Sequence, residues 1–104
     1  MFAVPTYKSY LLKAQRIEIK STLYDLANHL ENYRLQNGTY KEAKIYTNRT
    51  TNKKYGLKIS SATKTEFKIE ALLQDVTQDP DCQKFTLTNK GIKSAFGNDS
   101  KQCW

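Results

Sequence analysis

Hydrophobic and polar positions follow two different rhythms along this chain. From Tyr7 to Gln36 no Pro or Gly interrupts a run rich in Leu, Ala, Lys, Glu, Arg and Gln, a composition that favours helix. Asn37-Gly38 supplies the stop, because Gly accepts the left-handed backbone that ends many helices. Upstream, Pro5 suits a first helical turn and Thr6 is placed to cap the helical portion after it. Some thirty residues at 1.5 Å each make a rod about 45 Å long, more than a small domain needs for its own core. Plotted at about 100° per residue, the helix carries two apolar stripes. One holds Leu12, Ile19, Leu23, Leu26, Leu30 and Tyr33; the other holds Tyr7, Tyr10, Ala14, Ile17, Ser21 and Tyr24, with Leu35 returning to it. Lys13, Arg16, Lys20, Glu31 and Arg34 lie between them. A helix laid on a sheet needs one stripe, so the second is expected to cover something else and to be exposed in an isolated subunit.

Beyond Gly38 the period changes. Residues 39–54, TYKEAKIYTNRTTNKK, show no clear periodicity and read as a surface connection with one short strand near Lys44-Tyr46. Four runs then alternate as strands do: Tyr55-Ser60, Glu66-Leu73, Lys84-Thr88 and Ile92-Phe96. Tyr55, Leu57 and Ile59 share one face of the first, Phe67, Ile69 and Ala71 one face of the second, and Phe85 and Leu87 one face of the third. This is the pattern of an antiparallel meander with one buried and one wet side. Asn89-Lys90-Gly91 is a tight hairpin turn. Residues 74–81 hold Asp75, Asp79 and Asp81 without the spacing of a calcium loop, and read as a solvated turn. Cys82 is placed at the opening of the third strand. The fold class is therefore α+β, a long N-terminal helix packed on a four-stranded antiparallel sheet. One domain is expected over 1–104, with a helical spine at 1–37, a connection at 38–54, the sheet at 55–96 and a C-terminal region at 82–104.

Composition narrows the chemistry. The chain has 104 residues, 38% of them hydrophobic, with mean hydropathy −0.72, net charge +7 and pI near 9.4. The charge permits an anionic partner such as nucleic acid or anionic lipid, although solubility and repulsion between copies is the simpler reading of charge alone. The tyrosine-bearing connection concentrates Lys41, Lys44, Arg49, Lys53 and Lys54. Together with Lys58, Lys64, Lys90, Lys93 and Lys101 these are the candidate contacts to DNA or another anion, lysines meeting phosphates and tyrosines stacking on exposed bases. Two cysteines, Cys82 and Cys103, and a lone mid-helix His29 do not make a zinc site. In so polar a small chain a disulfide in an oxidising compartment is the better reading, with two free thiols in a cytosolic protein left open. No run reaches the length of a membrane span and no signal peptide is visible, so an oxidising compartment implies that an N-terminal portion is missing. No phosphate loop, nucleophile motif or distinctive carboxylate pair is present, so no catalytic residue, cofactor or metal is assigned and no enzymatic activity is expected.

Three passages, in order, resemble a type IV pilin of the a class. Ala3-Val4-Pro5-Thr6-Tyr7 is similar to the junction where a pilin's hydrophobic half-helix meets its globular part. The stretch from Leu11, through LxxLANHLENYRLQNGTY from Leu23 to Tyr40, resembles the remainder of the spine helix and its exit. Asp81-Cys82, Phe85-Thr86-Leu87-Thr88, Gly91 and Cys103-Trp104 resemble the C-terminal region of minor pilins, bounded there by a disulfide.

The resemblance implies a pilin fold, a bond between Cys82 and Cys103, and a structural subunit of a filament serving adhesion, twitching motility or surface attachment. Its implied partners are other pilin subunits, packed against the Tyr7–Tyr24 stripe, with the assembly machinery and the inner membrane before polymerisation. It implies an extracellular filament as the final location, and a chain that lacks its apolar half-helix. The alternative function is a DNA-binding minor pilin acting in uptake for transformation; a host surface is a further possible partner. A type II secretion pseudopilin shares the helix and sheet but not the late disulfide.

Overall fold

The computed structural model describes residues 4–43, 55–75, 77 and 79–104, with the backbone alone for 4–9. One helix, α1 (Val4–Asn37), precedes four strands, β1 (Tyr55–Ala62), β2 (Phe67–Leu73), β3 (Lys84–Thr88) and β4 (Lys93–Phe96), and a final 3-10 turn at Ser100–Gln102. At 1.5 Å per residue α1 is about 51 Å long, and it sets the long dimension of a body measuring 56 × 22 × 19 Å. Val4, Pro5 and Thr6 are all helical, so Thr6 is not a cap. At the other end the Asn37 side-chain Nδ2 donates to the Tyr33 carbonyl at 2.9 Å, and Gly38 takes φ +75° and donates its backbone N–H to the Arg34 carbonyl. The expected strand at Lys44-Tyr46 lies outside the described residues.

The strands form one antiparallel sheet in the order β1-β2-β3-β4. Leu57, Ala71, Phe85 and Ala95 stand in one cross-strand row facing α1, and Lys58, Glu70, Thr86 and Ser94 form the next row on the outer side, which is not wet throughout as the alternation predicts, since Thr86 is buried there. The register of β1 shifts between Ile59 and Ser61, which lengthens β1 beyond its simple alternation. Thr88 and Ile92 close the β3–β4 hairpin, with Gly91 at φ +78° as turn chemistry requires.

Among the described residues, one stripe of α1 enters the core. Ile19, Leu23, Leu26 and Leu30 are fully buried against Tyr55, Ile69, Ala71 and Phe85, each burial contributing about 2 kcal/mol. Leu12 and Tyr33, at the ends of the stripe, are half-buried.

The segment before β3 departs from the expected solvated turn. Asp79 is 1% exposed and Arg16 only 7%, because the turn folds back onto α1. The Arg16 guanidinium donates from Nε to Oδ2 at 2.9 Å and from Nη2 to Oδ1 at 2.8 Å. A parallel fork of this kind satisfies both charges away from water, which is why a residue on the polar flank of α1 can be buried. Cys82 sits in this turn, two residues ahead of β3. It is bonded to Cys103, with Cα atoms 5.7 Å apart, so neither cysteine is a free thiol. Next to the bond, a Cβ on Gly97 would fall on the Asp81 carbonyl and 2.9 Å from the Cys82 nitrogen, so the tail can close on this turn only with glycine there.

Candidate functional site

Two surfaces are available for recognition, one along α1 and one at an end of the sheet. Along α1, Tyr10 is 72% exposed and Ile17 62%, with Ala14 and Ser21 exposed between them. The Tyr7 side chain lies outside the described residues. Tyr24 is exposed on one side only. The C-terminal Trp104 meets it edge-on at 6.0 Å and meets Phe85 at 5.7 Å, while its indole N–H donates to the Ser94 carbonyl at 2.8 Å. The Lys93 ammonium stands 5.8 Å from the Tyr24 ring and 5.7 Å from Trp104. At its C-terminal end the exposed stripe is thus bordered by the domain's own tail, a contact that helical periodicity alone does not reveal.

The second surface is built where α1 ends. Tyr40 is buried, stacks edge-on against Phe67 at 4.9 Å and donates its hydroxyl to the Glu31 carboxylate at 2.8 Å. Burial, followed by the hydrogen bond to Glu31, pushes its phenol above the ordinary range. The Tyr40 amide donates to the Thr63 carbonyl at 3.2 Å, which sets exposed Lys41 beside the β1–β2 turn and its Lys64. Asn89 links that turn to the β3–β4 hairpin: its Oδ1 accepts from the Phe67 amide at 3.1 Å and its Nδ2 donates to the Thr65 carbonyl at 3.3 Å. Lys90 pairs with Glu66 at 3.2 Å across the two turns, both groups solvent-exposed.

Lys41, Lys64 and Lys90 are therefore carried to one end of the domain by three separate segments, and Lys68 projects from the outer face of β2 at the same end. Lys68 is absent from the sequence-based set, since a single lysine in an alternating strand carries no signal of its neighbours. Lys58 lies farther along the outer face opposite Glu70, Lys93 beside Tyr24, and Lys101 in the tail. Lys44, Arg49, Lys53 and Lys54 lie outside the described residues. Among the described residues no three His, Cys, Asp or Glu side chains gather to hold a metal ion.

At the opposite end of the sheet, Tyr55 is buried and donates its hydroxyl to the Cys82 carbonyl at 2.7 Å. Burial, reinforced by nearby Asp79, raises its phenol far above the ordinary range. Arg16 is likewise raised, chiefly by its hydrogen bond to Asp79. These groups hold the turn and disulfide to α1, and their role is structural.

The sequence matches, over residues 5–86, the family described as Type IV minor pilin ComP, DNA uptake sequence receptor. The chain belongs to this family. Among solved structures it is similar to the non-core minor pilin PilV of Neisseria meningitidis, with TM-score 0.68 and 24% identity over 88% of this chain and 94% of that one. It is also similar to a type IV pilin from Shewanella oneidensis, with TM-score 0.57, 18% identity and the same coverage. At these identities the likeness establishes the pilin fold. No curated relative matches the chain. Membership of the type IV minor pilins implies assembly with other pilin subunits, an extracellular pilus and a membrane-anchored precursor. Among the described residues no helix is long and apolar enough to cross a membrane.

Proposed function

We propose that this minor pilin binds DNA at the turn end of its sheet and serves DNA uptake, while the Tyr10–Tyr24 side of α1 packs against other subunits. The family match across residues 5–86 carries this reading. The geometry supports it by bringing Lys41, Lys64, Lys68 and Lys90 to one end of a chain of net charge +7. Glu42 and Glu66 stand in the same region, so the surface is mixed rather than uniformly basic. Such a surface attracts a polyanion at low salt and releases it as counterions compete.

The two surfaces are compatible in one filament. The Lys41, Lys64 and Lys90 segments lie at the C-terminal end of α1, and Tyr10 lies near its N-terminal end. A subunit held through α1 therefore leaves the turn end available. A structural role alone, in adhesion or twitching motility, is the second reading; the exposed helix face supports assembly whether or not DNA is bound. Titration of a fluorescent DNA duplex at two salt concentrations separates the two. Binding near ~50 mM salt that weakens steeply by ~200 mM supports a DNA receptor, and no binding at the lower salt removes the DNA role.

A further inference from the structure

A groove runs between α1 and the C-terminal tail, on the exposed side of the helix. Lys13, Arg16, Ile17, Lys20 and Gln102 line one part, of about 400 Å³. The continuing part, of about 480 Å³, shares Ile17 and Lys20 and is bounded by Tyr24, Asp25, Lys93 and Trp104. Its apolar lining is Ile17, itself well exposed, with Tyr24 and Trp104, and the lysines along it, its rim, are Lys13, Lys20 and Lys93. Arg16 is already answered within the domain by Asp79. Asp25 is the one carboxylate among the described lining residues, so three rim lysines face it with an excess of positive charge.

We infer that this groove seats an acidic, apolar-tipped surface of a different pilin subunit, and that its lysines disfavour a second copy of this chain. The inference rests on the reading of the α1 face as a subunit interface. Charge complementarity selects the occupant. A second copy brings net charge +7 to a rim that is itself positive, and like charges at contact lie within a Debye length, where salt screens them only in part. An acidic neighbour instead gains at Lys13, Lys20 and Lys93 while burying an apolar side chain against Ile17. Rim charges of this kind set which partner docks more than how tightly the core packs. The lysines thus make the subunit a guest, placed singly among acidic neighbours and not in runs of its own kind. DNA is the less suitable occupant, because the groove is continuous with the exposed Ala14–Ile17 surface that other subunits would cover.

The test compares subunits expressed in filament-bearing cells, with incorporation measured as the ratio of this subunit to the bulk subunit in sheared filaments. Lys13→Glu/Lys20→Glu/Lys93→Glu is expected to lower that ratio about tenfold, and the matching triple Arg variant to preserve it. Ile17→Asp probes the underlying interface. If Ile17→Asp blocks incorporation while the triple Glu variant incorporates like wild type, the acidic-partner inference fails and the interface reading stands. If both incorporate normally, both fail. The soluble domain of each variant is checked by thermal unfolding, and retention of the wild-type midpoint assigns the loss to docking. Sedimentation of the wild-type domain is expected to show a monomer at low salt. A low-salt dimer abolished by Ile17→Asp would overturn the exclusion of a second copy. A triple Glu variant that loses DNA affinity but not incorporation would give the groove to DNA and overturn the inference.

Discussion

Arg16 and Asp79, separated by 63 positions in the chain, meet in a buried two-bond fork that fastens the turn before β3 to the middle of α1. Next to it, the Cys82–Cys103 bond and the Tyr55–Cys82 hydrogen bond fix the same turn to the tail and to β1. This cluster holds the C-terminal region in place, and with it Trp104 against the exposed side of α1.

Breaking the fork from one side leaves a charge buried without its counterpart. Asp79→Ala is expected to destabilise the domain by about 3 kcal/mol, as one-sided removal of a buried ion-pair partner does. For a domain of this size that lowers the thermal midpoint by more than about 10 °C. Arg16→Met/Asp79→Leu, which removes both charges, is expected to recover most of the loss. Chemical denaturation of the two variants beside wild type checks this; equal losses in both would mean that packing, not charge, is the issue.

Reduction of the disulfide is a second probe of the same region. The cysteines are 21 positions apart, and a loop of that length constrains the unfolded chain by about 3 kcal/mol in the chain-entropy account. Cys82→Ser/Cys103→Ser is expected to lose stability on that scale. Its Trp104 fluorescence is expected to change less on folding than that of wild type, since the indole is then no longer held against Tyr24 and Phe85. An unchanged folding-linked fluorescence signal would show that the aromatic contacts alone fix the tail.

Alkaline titration probes the two buried phenols. Tyr40 and Tyr55 are both raised above the ordinary value near 10, in each case mainly by burial. A raised phenol favours the protonated folded state. Its contribution is complete below the ordinary value and is lost as pH rises past that value and through the folded one. Stability is therefore expected to fall above about pH 10. Phenolate absorbance is expected to show a late phase above the ordinary value, in which Tyr40 and Tyr55 ionise together with unfolding. Tyr55→Phe removes the later phase for one residue, and also costs about 1 kcal/mol by leaving the Cys82 carbonyl without its donor. Tyr40 and Tyr55 ionising reversibly near pH ~10 without unfolding would contradict the buried placement.

Much of the fold is legible in local pattern. The apolar run at Ile19, Leu23, Leu26 and Leu30 declares the buried side of α1, and the alternation in Phe67–Leu73 declares a strand and the side it buries; in Lys84–Thr88 it marks Phe85 and Leu87 as buried but not Thr86, which is buried on the other face. These signals are short-range, so they survive in a single sequence. The Arg16–Asp79 fork is not legible, because nothing near either residue records a partner 63 positions away, and a turn with several aspartates ordinarily faces water. The docking of Trp104 onto Tyr24 escapes notice for the same reason. The lysine-bearing turn end of the sheet is legible only in part: Lys41, Lys64 and Lys90 are visible as lysines, but their convergence depends on Asn89 joining two turns and Tyr40 joining a third segment.

The most direct test of DNA recognition at the turn end is the salt dependence of binding by the wild-type chain and by Lys41→Ala/Lys64→Ala/Lys90→Ala. Each phosphate contact adds about 0.9 to the slope of log affinity against log salt. The triple variant is expected to bind more weakly, with a slope shallower by about 2 to 3 and an unchanged thermal midpoint because all three lysines are exposed. A triple variant with wild-type affinity and slope would contradict DNA recognition at this end of the sheet.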